Sequence, residues 1–169
     1  MFGFNKKKKQ SVNYLEAMLK CADRKGYLPF SEGFPQIPEI EIRHIQNTST
    51  IFRSNYMQNI PIDDFATGAY NAMRFGFAYG VIMASVWHLD FNSFDALSFD
   101  VDLREIETAM NILDFDKVEY EEFVKDMVDE FFDIISSKKN PDPRIDLNLG
   151  LSSVQTVGTA IFLKKNGFK

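Results

Sequence analysis

The stretch from Phe65 to Trp87 limits the fold more than any other part of the chain. Small residues recur there at every fourth position: Gly68, Ala72, Gly76, Gly80 and Ala84. Residues four apart share one face of a helix, so this row forms a groove that another backbone can approach closely. Each helical glycine costs about 0.8–1 kcal/mol relative to alanine, a loss that close packing must offset. Because the second half of the stretch has no polar face, the sequence predicts a buried central helix at about 62–88.

A membrane-spanning helix is the main alternative for this stretch. Its length is adequate, since about 20 residues cross a bilayer. However, Arg74 lies near its middle, where a charge costs about 2.5–3.5 kcal/mol on insertion. The uninterrupted apolar part, 75–87, is shorter than a span requires. The stretch is therefore predicted to be the core helix of a globular, mainly α-helical bundle.

The chain of 169 residues has the size of a single domain. Residues 1–10 contain the run Lys6–Lys9 and are predicted to form a basic flexible tail, because adjacent like charges repel and stay solvated. Residues 11–169 are predicted to form one globular domain. The single cysteine, Cys21, excludes an intrachain disulfide framework. Together with the lack of a secretory leader pattern, this predicts a cytoplasmic protein.

Apolar residues at helical spacing predict further helices. One covers about 11–25 and another about 101–113. The clearest amphipathic helix covers about 117–137, and Asp116 precedes it in the position of a helix cap. A helix is also favoured for 48–58.

Two segments suggest a small β element, which makes an α+β fold the alternative. Apolar residues alternate with polar ones or glycine in a strand-like pattern near the C-terminus: Ile145, Leu147, Leu149 and Leu151. The segment 39–45 also alternates, although its residues fit a helix face as well. If 39–45 and 145–151 are both strands, they pair into a small sheet. The last segment, 152–165, is then either a helix or a second strand.

No motif in the sequence predicts a catalytic residue, a bound metal or a cofactor. The segment 116–127 looks like the second half of an EF-hand loop, but the alignment puts Leu113 and Phe115 at calcium-ligand positions. The histidines and the cysteine lack the spacing of a zinc or iron site, and there is no glycine-rich phosphate loop. His88 with Asp90, at the end of the central helix, leaves a small enzyme with a His/carboxylate site as an alternative.

The strongest functional signal is the distribution of charge. Between Asp90 and Asp133 there are 15 acidic residues against three basic ones, a net charge of −12 in a chain whose total is −5. Six acidic residues lie opposite the apolar stripe of the helix at 117–137: Glu119, Glu122, Asp126, Asp129, Glu130 and Asp133. They are predicted to bind a basic protein partner, because a surface of a single sign steers association and rejects wrong partners.

The predicted function is therefore a non-enzymatic protein-binding module. An inhibitor or immunity-type protein that covers a basic, nuclease-like effector fits this description. The same negative charge disfavours direct binding of nucleic acid by the acidic segment. Besides the small enzyme, a peripheral membrane protein stays open, with Phe2, Phe4 and Lys6–Lys9 as its membrane contact. The simplest alternative is that the carboxylates only solvate the polar face of a helix.

Overall fold

The computed structural model describes residues 14–28, 60–61, 63–89 and 103–168, together with Ile37, Glu39 and Arg43. Five helices have their bounds within these residues: α1 (Tyr14–Arg24), α2 (Phe65–Leu89), α3 (Leu103–Leu113), α4 (Lys117–Ser137) and α5 (Pro143–Lys165). They pack together, and the described part of the chain contains no β-strand, so the predicted mainly α-helical bundle is confirmed. The basic tail predicted at 1–10, the helix predicted at 48–58, and Asp90 lie outside the described residues.

The paired helices α2 and α5 form the centre of the bundle, and α2 is buried throughout 75–85. At Gly80 the two backbones come so close that a Cβ atom would lie 2.8 Å from the carbonyl carbon of Gln155. At Gly158 a Cβ atom would lie 2.6 Å from the carbonyl oxygen of Phe77. At Gly76 and Gly80 the groove predicted from the row of small residues is therefore occupied by α5, which contributes a glycine of its own to the contact, whereas at Gly68 a Cβ atom would meet the side chain of Ile60.

The far end of α2 differs from the expectation. Trp87, expected in the apolar core, leaves 44% of its surface exposed near the C-terminal end of the helix. Among the helices of the described residues, none combines the length and the apolarity that crossing a bilayer requires. Arg74 supplies the charge that argued against a membrane span. Its side chain lies on α2 and is partly buried.

The strand predicted at 145–151 is wrong, because these residues belong to α5. On a helix, positions two apart point in nearly opposite directions, so an alternating pattern separates into two faces. Leu147 and Leu151 lie on the inner face and are fully buried, whereas Ile145 and Leu149 are 59% and 48% exposed. The alternation that resembled a strand is thus the coincidence of two apolar pairs, each with helical spacing.

The start of α5 is set by two residues that look like part of a linker in the sequence. Asp142 accepts hydrogen bonds from the backbone N–H groups of Arg144 and Ile145, both at 3.2 Å. Pro143 follows in the first turn, where its fixed φ suits a helix and its missing N–H has no cost. The helix then continues without a break, so of the two alternatives for 152–165 the helix is right.

Glu39 and Arg43 are the described residues of the segment 39–45, and both have helical backbone. Their side chains form an ion pair four residues apart, which is the spacing of neighbours on a helix face. Since neither candidate strand is extended where it is described, the small sheet of the α+β alternative is wrong for these residues.

Asp116 caps α4, as its position in the sequence predicts. Its carboxylate accepts a hydrogen bond from the backbone N–H of Glu119 at 2.8 Å. In the turn just before it, Asp114 adopts a positive φ of 57°. The N–H of Phe115 reaches back to the carbonyl oxygen of Met110 at 2.9 Å, which ends α3 in a Schellman motif. Asp114 therefore occupies the left-handed position where glycine is preferred.

Replacing Asp114 with glycine is expected to stabilise the protein by up to about 1 kcal/mol, because glycine adopts left-handed backbone without a Cβ clash. The measurement is the midpoint of urea denaturation, which should rise. Glu107→Gly, at an exposed site inside α3, is the matched control and should lower stability by about 1 kcal/mol. A lower midpoint for Asp114→Gly would mean that the lost carboxylate contributes more than the relieved backbone.

Candidate functional site

The acidic side of α4 consists of two parallel rows of carboxylates. The inner row comprises Glu119, Asp126 and Glu130, and the outer row comprises Glu122, Asp129 and Asp133. Within each row the residues are seven and then four positions apart, so they lie above one another along the helix. The inner row is partly buried and the outer row is exposed. The six residues predicted to bind a partner thus share one side of α4 but lie at two depths.

Every carboxylate of the inner row is engaged by the C-terminal end of α1 or by the residues just after it. The contacts are Tyr27 Oη to Glu119 Oε1 at 2.7 Å, Lys25 Nζ to Asp126 Oδ2 at 2.8 Å, and Arg24 Nη2 to Glu130 Oε2 at 3.1 Å. The inner row therefore fastens α1 to α4, a role that the sequence did not reveal. The signal in the sequence that could have indicated this role was a pair of adjacent cations, Arg24 and Lys25, at the end of an amphipathic helix.

The inner-row contacts stabilise the protonated forms of their donors further. The hydrogen bond to Asp126 raises the pKa of Lys25 above its ordinary value. Burial, followed by the hydrogen bond to Glu119, raises the pKa of the Tyr27 hydroxyl. Both donors are protonated at neutral pH even with ordinary pKa values, and the raised values reflect the contacts with the inner row.

The outer row has a different environment. Glu122, Asp129 and Asp133 are exposed, and none of them forms an ion pair or a side-chain hydrogen bond with another described residue. Their neighbour Lys125 is exposed as well. No ion pair engages the outer row within the described residues, but its charge is partly offset, because Lys125 lies three positions after Glu122 and four before Asp129, and Glu122 also interacts with the charge of Lys25.

On the other flank of α4, Glu121 links this helix to α2. Its carboxylate pairs with Arg74 and accepts a hydrogen bond from Tyr70 Oη at 2.6 Å. Tyr120 Oη donates to the backbone carbonyl of Arg74 at 2.7 Å. Burial and the bond to Glu121 raise the pKa of Tyr70 to about 12. This cluster links α2 to α4. The charge of Arg74 on the central helix is paired with the carboxylate of Glu121.

A second polar cluster surrounds Asp146, whose side chain is almost fully buried. It accepts hydrogen bonds from Tyr14 Oη at 2.5 Å and from the backbone N–H of Asp142 at 3.1 Å, and it pairs with Lys138. The ammonium of Lys138 also lies 5.0 Å from the centre of the Tyr14 ring. The start of α1, the end of α4 and the start of α5 thus meet at one carboxylate.

A cleft of about 600 Å³ lies beside the start of α5. Its described walls are formed by Phe65, Pro141, Asp142, Pro143 and Arg144. The volume is that of a small-molecule site. Its polar groups are used within the fold, however: Asp142 caps α5, and Arg144 donates to the carbonyl of Ile60 at 3.2 Å. The described walls of the cleft therefore offer mainly apolar surface rather than a set of convergent polar groups.

His88 is partly buried among aromatic rings, with its ring centre 4.5 Å from that of Phe168 and 6.3 Å from that of Phe162. Its suggested partner Asp90 lies outside the described residues. Cys21 is buried, and burial raises the pKa of its thiol, which favours the unreactive neutral form. The described residues hold no group of three or more histidine, cysteine or acidic side chains placed to bind a metal ion.

Fold and site together define a mainly α-helical bundle that carries a two-row acidic face on α4. No protein-family model matches the chain, and no curated protein or solved structure matches it either. Function must therefore be inferred from the charges and contacts of the residues themselves.

Proposed function

We propose that this protein is a non-enzymatic protein-binding module whose outer row docks on a basic site of another protein. The observation that carries the proposal is the contrast between the two rows of α4. Inner-row carboxylates are engaged by α1 or the residues just after it, whereas Glu122, Asp129 and Asp133 are exposed and form no ion pair within the described residues. In the finer form of the proposal, the protein is a cytoplasmic inhibitor or immunity-type protein that covers a basic effector.

Folding of α4 does not depend on the outer row. The helix is held by its buried apolar stripe and by the Asp116 cap. Repulsion between Asp129 and Asp133, four apart, costs about 0.2–0.5 kcal/mol, and Lys125, three residues after Glu122 and four before Asp129, offsets a similar amount. Asp133 also lies toward the C-terminal end, where the helix dipole disfavours negative charge, and the last turn of α4 has no basic residue. The row as a whole therefore contributes little to folding, which leaves it available for a role outside the fold.

The geometry of the outer row describes its partner. Glu122 and Asp133 are eleven positions apart in the sequence, which corresponds to about 16 Å along the helix axis. A matching partner presents lysine or arginine side chains over a similar length. At physiological salt the screening length is about 8 Å, so each carboxylate acts mainly on the cation that it contacts. Binding should therefore depend on contact pairs and weaken as salt rises.

Charge reversal of the outer row tests the proposal. Glu122→Lys with Asp129→Lys should leave the protein folded, since exposed substitutions usually change stability by no more than about 0.5 kcal/mol. The double variant should lose its partner, because like charges brought together cost several kcal/mol. This pair is preferable to one that includes Asp126, whose replacement would also break the ion pair with Lys25.

The experiment is affinity capture of the partner from the native cell at low and moderate salt, followed by mass spectrometry and a binding titration with the purified partner. Asp63→Lys with Glu107→Lys is the matched control, because it makes the same change of charge at exposed sites away from α4. Support requires a partner held by the wild type and the control but not by the folded outer-row variant. A partner bound equally by all three would leave the outer row as a solvated surface.

A further inference from the structure

Helix α5 ends in a Schellman motif. The backbone N–H of Gly167 donates to the carbonyl oxygen three positions back at 3.2 Å, and that of Phe168 donates to the one five positions back at 3.0 Å. Gly167 has a φ of 73°, the left-handed backbone that this position requires and that glycine adopts without strain. Asn166, the cap residue, turns its side-chain amide back and donates to the carbonyl oxygen of Phe162 at 2.9 Å. The end of the helix therefore fixes both the backbone and the side chain around Asn166.

The motif places a glycine directly after an asparagine, and Asn166–Gly167 is the single Asn-Gly pair of the chain. Asparagine loses its amide most readily in this pair, because glycine has no side chain to hinder attack. In the reaction the Gly167 nitrogen loses its proton and bonds to Cγ of Asn166, the Cγ–Nδ2 bond breaks, and ammonia leaves. Water then opens the cyclic imide at one of its two carbonyl groups, which gives aspartate or isoaspartate. Both residues are exposed, so water and base reach them.

The folded structure opposes ring closure at both reacting groups. The nucleophile is the nitrogen of Gly167, whose proton is engaged in the Schellman motif. The electrophile is the amide carbon of Asn166, whose side chain is directed to the carbonyl of Phe162 instead of to that nitrogen. Reaction therefore requires the motif to open first. Opening involves only the exposed last turn, so it does not require the buried part of α5 to unfold.

We propose that Asn166–Gly167 is a site of spontaneous deamidation that the Schellman motif slows, and that isoaspartate there releases Phe168 from the bundle. In isoaspartate the main chain runs through Cβ and Cγ, which adds one carbon between the helix and Gly167. The hydrogen bonds of the motif then lose their register. The ring of Phe168 packs against those of His88 and Phe162, with centres 4.5 and 6.3 Å apart. Because His88 stands in the last turn of α2, the modification loosens the contact between the ends of α2 and α5.

The rate of conversion in the folded full chain is the first test. The protein is incubated at mildly alkaline pH, and the product is measured by peptide mapping with mass spectrometry and by enzymatic methylation of isoaspartate. A peptide of residues 162–169, too short to persist as a helix in water, supplies the unprotected rate. The full chain should convert at least about tenfold more slowly, because several hydrogen bonds must be lost before reaction. Equal rates would show that the motif gives no protection and would overturn the proposal.

Two variants show whether the motif opens alone or with the whole protein. Phe168→Ala removes the ring that holds the motif against His88, and it should speed conversion of the full chain severalfold relative to a peptide with the same replacement. Val154→Ala, in the buried middle of α5 beside Gly76, lowers the stability of the whole protein and should leave the rate unchanged. Equal rates for the two variants, or no conversion of the folded chain after the peptide has fully converted, would overturn local opening of the motif.

Release of Phe168 is tested by NMR of the converted protein. Asn166→Asp is the matched control, because it introduces the same charge without lengthening the main chain. The ring signals of His88, which lies beside the Phe168 ring, should move toward those of Phe168→Ala when isoaspartate forms. In Asn166→Asp they should stay close to those of the wild type. Unchanged His88 signals in the isoaspartate form, or an equal change in Asn166→Asp, would overturn release by the lengthened main chain.

Discussion

Replacing Gly80 with alanine is expected to lower the free energy of unfolding by about 3 kcal/mol or more, and replacing it with leucine is expected to abolish the folded state. The reason is the identity of the atoms that a Cβ would meet. They belong to the backbone of Gln155, with its carbonyl carbon at 2.8 Å and its Cα at 2.9 Å. A backbone inside a buried helix cannot move away alone, and Thr159 also ties the two helices by donating to the Gly80 carbonyl.

Gly76, one turn earlier, should tolerate substitution better than Gly80. There a Cβ would meet the methyl groups of Leu151 at 2.9 Å and Val154 at 3.3 Å, which are side-chain atoms able to shift. The expected order of stability in urea denaturation is wild type, Gly76→Ala, then Gly80→Ala. Ala66→Leu, at an exposed site near the start of α2, is the control and should change stability by no more than about 0.5 kcal/mol. An unchanged midpoint for Gly80→Ala would contradict the backbone contact.

The row of small residues made the central helix predictable because its meaning depends on local geometry alone. A glycine every fourth residue is costly unless another chain approaches, and that reasoning needs no knowledge of which chain it is. The same is true of Asp116, whose capping role follows from the residues next to it. What the row did not specify was the partner helix, since the facing glycine of α5, Gly158, stands in a segment whose conformation was left open.

The error at 145–151 has a different cause. Four apolar residues at every second position fit one face of a strand, but they also fit two opposite faces of a helix, of which only the inner face is buried here. Asp142 and Pro143 stand where a helix cap and a first turn should be, and they favoured the helix. Pattern counting alone gave the strand, because the cap signal lay outside the alternating segment.

The candidate site could be predicted only in part. Helical periodicity places all six carboxylates on the polar side of α4, and the structure agrees. Periodicity does not distinguish a carboxylate that faces a neighbouring helix from an exposed one. The pairing of Asp126 with Lys25 depends on how α1 packs, which is a tertiary contact. The buried position of Asp146 was unpredictable for the same reason, since its partners Tyr14 and Lys138 come from two other elements.

Replacing Asp146 with alanine is expected to cost about 2–3 kcal/mol of stability, a magnitude typical of losing hydrogen bonds to a buried charged group. The hydroxyl of Tyr14 would lose its acceptor inside the protein, while Lys138, about one third exposed, can turn toward water. The measurement is urea denaturation at neutral pH, with Asp133→Ala on the exposed outer row as a control that should change stability by no more than about 0.5 kcal/mol.

The same carboxylate makes the stability difference depend on pH. Burial alone would raise the pKa of Asp146, but the hydrogen bonds from Lys138 and Tyr14 outweigh it and hold this pKa below its usual range. A carboxyl whose pKa is lower in the folded state stabilises the protein above its unfolded pKa, near 3.9, and loses that contribution as pH falls through the folded value. The difference between wild type and Asp146→Ala should therefore be constant above about pH 5 and shrink below pH 4. A difference that grows on acidification would mean that Asp146 is already protonated in the folded protein, and that its cluster is held by a neutral acid rather than by an ion pair.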